Sequence, residues 1–143
     1  MSSLGFQTIY REINAHPRRV AERAFLPDDV AAQRASGAPL CTYESGRPVS
    51  SCAVIALSVA YELELSGVVD ALALSGIAPL AAERDDSAPF VLCGGPLTNS
   101  NPLPLAPFAD AILMGEAEES VHAALDVLAG SATKAEACAA LAR

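Results

Sequence analysis

Two unbroken apolar runs, CAVIALS at 52–58 and PFVLCGG at 89–95, stand out in a chain whose other apolar residues are spaced. Continuous runs of this length suit strands covered on both faces, so both are expected to be central strands of a sheet. DAILMGE, starting at Asp110, predicts a last strand, and VAERAFL, PLCTYES and APLAAER are also strand-like. Helical spacing separates these stretches. LGFQTIYREINA places Leu4, Ile9, Tyr10 and Ile13 on one face and ends before His16-Pro17. PDDVAAQRAS is a short helix with Pro27 and Asp28 at its start and Gly37 after its end, and ELELSGVVDALALSG aligns Leu63, Val68, Ala71 and Leu72 before Gly76. AEESVHAALDVLAG and TKAEACAALAR open on acidic residues or Thr, which favour a helix N-terminus. Strand and helix alternate, which implies an α/β fold: a mostly parallel sheet flanked by helices, in one domain spanning residues 1–143. For such a sheet, opening on a helix is unusual.

In a parallel sheet the loops at the carboxyl ends of the strands converge on one edge, where ligands bind. Three of these loops carry suggestive residues: Ser58 after VIAL, Gly94-Gly95 after FVLC, and Gly115-Glu116 after AILM. Each has a plain alternative. Ser58 can cap a turn, the glycine pair can simply turn the chain, and Gly115-Glu116 can open a helix with the carboxylate facing its dipole. Together they favour a ligand edge.

Composition narrows the choice of partner. At 143 residues with 52% hydrophobic content, the chain is long enough to bury a core without staples. A net charge of −8 excludes a phosphate-backbone partner or an anionic membrane surface, both of which need clustered Lys and Arg. The cysteines at 41, 52, 93 and 138 form no CxxC pair and follow no secretory signal, so a reducing cytoplasmic setting is expected. No apolar run is long enough to span a membrane. The adjacent carboxylates Asp28-Asp29, Asp85-Asp86 and Glu118-Glu119 diverge on any regular element, so no metal site is expected. Cys93 beside two glycines could be a nucleophile, but the sequence places no His or Asp partner for it. His16 and His122 are expected at a helix end and on a helix surface.

Taken in order, LGFQTIYREIN, ERAFLP, YESGRPV, ALSVAYEL, GIAPLAAER, VLCGGPLTNSNPLP and FADAILMGEAEES resemble the cobalamin-binding-like N-terminal region of a family of bacterial radical S-adenosylmethionine (SAM) proteins. The resemblance covers nearly the whole chain. It implies a Rossmann-like or flavodoxin-like, cobalamin-binding-like fold, in which Ser58, Gly94 and Gly95 would meet the nucleotide tail of cobalamin, with Gly115 and Glu116 on the same edge. It also implies that S-adenosylmethionine and a 4Fe-4S cluster belong to a radical SAM domain of the same full-length chain, absent here.

The departures from that pattern are specific. The Asp-x-His-x-x-Gly loop that ligates cobalt in mutase-type cobalamin domains has no counterpart, and neither does the cluster-binding CxxxCxxC. Leu103 stands where the family often has an acidic residue. In such proteins the segment resembling MSSLGFQTIY follows a first strand, so this chain is expected to lack that strand and to expose a sheet edge open to homodimerisation. Two functions follow from the likeness: a cobalamin-binding accessory domain, or a cofactor-free platform that docks or presents substrate to the radical SAM half.

Overall fold

The computed structural model describes residues 4–115 and 117–142, with the side chains of Glu118 and Glu119 excluded. Its sheet has three parallel strands, β1 (Val54–Ser58), β2 (Phe90–Gly94) and β3 (Ala111–Ile112), in the order β1-β2-β3. Around it lie α1 (Leu4–Ala15), α2 (Val30–Ser36), α3 (Leu65–Leu74), the single turn α4 (Leu97–Ser100), α5 (Ala117–Gly130) and α6 (Lys134–Leu141). This is the α/β architecture the alternating pattern predicts, an open parallel sheet flanked by helices of the Rossmann or flavodoxin type.

The core has two faces because β2 is covered on both sides. Val91 and Cys93 pack with Val68 and Leu72 of α3 in the larger cluster, whereas Phe90 and Leu92 pack with Ala137 of α6 and Leu128 of α5. Side chains that alternate across a strand need apolar residues at every position once both faces are covered, which is why FVLC is unbroken. The helices begin and end on local signals. Asp29, one residue beyond the expected start of α2, accepts from the Ala32 N–H at 2.8 Å, and Gly37 closes that helix at φ 69°. Thr133 accepts from the Glu136 N–H ahead of α6, and the Glu136 carboxylate accepts from the Ala132 N–H in return.

Several expected elements differ. β1 is an edge strand instead of a central one, and Ala56 at its middle is exposed. Residues 20–26 form no strand: Ala21 is clamped by the Asn14 side chain, and the Arg23 backbone is held by Glu44 and Tyr43. PLCTYES contributes only an isolated bridge, Cys41 to Pro48, around the turn at Gly46. APLAAER ends in a 3₁₀ turn, Ala81–Glu83, because the Arg84 guanidinium collects the carbonyls of Ala78 and Pro79 and curls the segment around itself. Leu63 lies in the turn before α3 and is exposed, so it is not part of that helix's apolar face. No helix among the described residues is long and apolar enough to cross a membrane.

Candidate functional site at the carboxyl edge of the sheet

Parallel order puts all three strand ends on one edge, and the register makes two of the expected site residues direct partners. Ser58 pairs with Gly94 at the end of the β1–β2 ladder. Beyond it the Val59 N–H donates to the Gly94 carbonyl at 2.9 Å, and the Leu97 N–H donates to the Val59 carbonyl at 3.1 Å. The chain after β2 therefore folds back over Val59, and α4 starts there. Thr98, almost fully buried, fixes the corner by donating its hydroxyl to the Gly95 carbonyl at 2.8 Å.

Within this corner Gly95 has φ +102°, and a Cβ built on it would lie 2.7 Å from both the Val59 nitrogen and oxygen and 3.0 Å from the Ser58 hydroxyl. The glycine is thus required by the protein's own backbone. Gly94 is different: a Cβ there meets the Leu113 carbonyl at 3.6 Å, an ordinary contact. Gly115, at φ +85°, faces open space and supplies only a left-handed turn between β3 and α5. Ser58 is exposed at the edge. The structure brings Ser58, Gly94 and Gly95 together with Gly115 on the next loop, while Glu116 lies outside the described residues.

The residues of this corner do not fit a corrinoid seated on the glycine pair. The space freed at Gly95 is filled by Val59, and neither described imidazole is among the neighbours of the corner. His122 of α5 receives the Arg19 guanidinium at its Nδ1, 2.6 Å away, and the same guanidinium is paired with Asp126. The His16 ring lies 6.0 Å from the His122 ring, so both histidines belong to the clasp between α1 and α5. Among the described residues no group of three or more His, Cys, Asp or Glu is placed to hold a metal ion. Cys93 is completely buried. Burial, with help from the nearby Asp110 charge and against the pull of Arg84, pushes its thiol up to about 12. An activated nucleophile needs the opposite shift.

A second cluster sits at the other end of the sheet. Arg84 and Asp110, 1% and 7% exposed, pair at 3.1 Å, and Lys134 reaches the same carboxylate at 3.3 Å. Asp110 also accepts from the Val91 N–H at 2.7 Å, and Arg84 donates to the Phe108 carbonyl. A buried ion pair is tolerated only when its remaining donors and acceptors are satisfied, and here most are, with the Arg84 Nε unpartnered. The cluster ties β2, β3 and the start of α6 together and is structural. Sequence reasoning did not single it out, although a lone Arg after an apolar run and an Asp directly before one were visible signals.

The family described as radical SAM proteins, N-terminal, matches residues 5–143. The chain belongs to that family. Searches of curated proteins and of solved structures return no match. The chain thus carries its family's N-terminal sequence pattern on a three-stranded parallel sheet whose corner at Gly95 is filled by the backbone of Val59.

Proposed function

We propose that this chain is a non-catalytic accessory domain of a radical SAM protein, and that the carboxyl edge of its sheet docks the radical domain of the same protein. The observation that carries this reading is the distribution of exposed apolar side chains. Tyr61 and Leu63 follow β1, Leu103 follows β2 and Met114 follows β3, each more than half exposed. Isolated exposed apolar residues are ordinary, but a set drawn from all three loops of one edge marks an interaction surface. The exposed Leu103, where an acidic residue is usual in the resembling proteins, adds to an apolar face instead of a polar pocket. The self-filled corner at Gly95 supports docking over cofactor binding.

Calorimetric titration with the separately expressed radical domain tests the reading, using a Tyr61→Ser/Leu63→Ser/Met114→Ser variant as control. The expected result is binding by the native chain, weakened at least about ten-fold in the variant, equivalent to about 1.4 kcal/mol, with unchanged thermal unfolding. Equal binding by both, or none by either, would overturn it. A parallel titration with hydroxocobalamin is expected to give no heat and no change in the visible spectrum. A saturable spectral change would replace docking with the corrinoid reading.

A further inference from the structure

None of the residues of α1 is buried, so its seat on α5 does not rest on a shared apolar core. A small charged cluster makes the contact instead. Arg19, whose side chain is only 13% exposed, donates to the Nδ1 of His122 at 2.6 Å, to the His122 carbonyl at 3.2 Å and to the Asp126 carboxylate, all on α5. Glu12 of α1 faces the Nε2 of the same ring at 4.0 Å. The His16 ring lies 6.0 Å from that of His122, and its own Nδ1 accepts from the Arg18 N–H at 3.3 Å.

A guanidinium only donates, so the contact fixes the form of the His122 ring: Nδ1 presents a lone pair, and the single ring proton is on Nε2, toward Glu12. A second proton has to go on Nδ1, the atom that Arg19 occupies. It removes the acceptor and sets a new cation 2.6 Å from a largely buried one. The carboxylates of Glu12 and Asp126 offset this only in part, because they are 52% and 66% exposed and screened by solvent, and Asp126 is already paired with Arg19. His16 responds in the same direction. Desolvation, followed by the charges of Arg19 and Arg18, lowers its pKa from 6.5, against the pull of Asp126. With the folded pKa the lower one, the contribution of the neutral ring is complete above about pH 6.5 and is lost as the pH falls below it.

We propose that this cluster is an acid-sensitive latch, which holds α1 on α5 while the imidazoles are neutral and releases it when His122 takes a proton at Nδ1, with His16 adding to the same response. The charged groups that face the two rings are Glu12 of α1, Arg18 and Arg19 of the turn after it, and Asp126 of α5. Opening is local. A helix of twelve residues is marginal in water once it is detached, so α1 loosens on release, whereas β2 keeps its ladder and both of its covered faces.

Amide exchange followed by NMR on the whole chain, expressed as protection relative to an unstructured peptide at the same pH, tests the latch. From about pH 7.5 to about pH 5.5 the Tyr10 and Ile13 amides of α1 are expected to lose about ten-fold or more in protection, while those of Val91 and Leu92 in β2 keep theirs. His122→Gln retains an oxygen that can accept from Arg19 but takes no proton, and its α1 is expected to be equally protected at both pH values. Unchanged protection of α1 in the native chain, or none already at the higher pH, would overturn the proposal. So would the same acid loss in His122→Gln. The nitrogen chemical shifts of the His122 ring supply a check that needs no variant: at the higher pH Nδ1 is expected to be the unprotonated nitrogen, and a proton found there would overturn the latch as well.

Discussion

Replacing Gly95 with Ala tests whether the glycine at the carboxyl edge serves the protein or a ligand. The added methyl would sit 2.7 Å from two backbone atoms of Val59 and 3.0 Å from the Ser58 hydroxyl. The hydroxyl can rotate away, but Val59 cannot, since its N–H and C=O are both committed to Gly94 and Leu97. Relieving the overlap costs about 1–3 kcal/mol as overpacking, and a side chain at φ +102° adds about 1–3 kcal/mol of backbone strain. The sum, about 2–6 kcal/mol, is a large share of a typical total stability of about 5–15 kcal/mol. At this chain size it corresponds to a melting temperature lowered by roughly 6–24 °C. Two internal controls divide the effect. Gly115→Ala meets only the backbone term, because its Cβ direction is open, and Gly94→Ala, which meets an ordinary contact, is expected within about 0.5 kcal/mol of zero. Urea and thermal unfolding of the ligand-free chain measure all three. If Gly95→Ala costs no more than Gly94→Ala, Val59 does not occupy the space and the glycine is free to serve a ligand.

Two further outcomes are expected. Asp110→Ala leaves the Arg84 charge buried without its carboxylate, one of the guanidinium's four acceptors, and should destabilise by about 3–5 kcal/mol, whereas replacing both residues with apolar ones of similar size should cost less, leaving the Val91 N–H and Lys134 without that acceptor but no guanidinium unpaired, as urea denaturation of the single and double variants would show. Glu44, despite desolvation that raises its pKa, is held at about 2 by hydrogen bonds from the Arg23 side chain and backbone and from Tyr10, against an ordinary 4.5. Because the folded pKa is the lower one, its contribution is present above about pH 4.5 and is lost as pH falls toward 2. The melting-temperature gap between the native chain and Glu44→Gln should therefore shrink over that interval, and a constant gap would refute the assignment.

The strands that were legible were those whose side chains alone decide the outcome. β2 needs no polar position because both faces are covered, and the unbroken FVLC run reports this directly. VAERAFL carries a strand-like pattern too, but a strand also needs a backbone partner, and residues 20–26 find side chains and a turn instead. APLAAER forms no strand for another reason: Arg84, which ends the run as a polar residue, is a buried cation that draws the preceding carbonyls around it. At the site, the convergence of Ser58, Gly94 and Gly95 followed from parallel order alone. The reason for Gly95 did not, because it depends on Val59, a residue with no unusual feature of its own. The pairing of Arg84 with Asp110 spans 26 positions and only becomes visible once β2 and β3 are side by side.

β3 is only two residues long, too short for its own ladder to choose an alignment against β2. The Asp110 carboxylate does this instead, accepting the Val91 N–H in place of a strand carbonyl while holding Arg84 and Lys134. A shift of one position would strip the acceptor from Val91, strand a guanidinium in the core and turn Ala111 to the wrong face. The strand is therefore keyed like a plug with one admissible orientation: it either seats with all its charges matched or does not join the sheet.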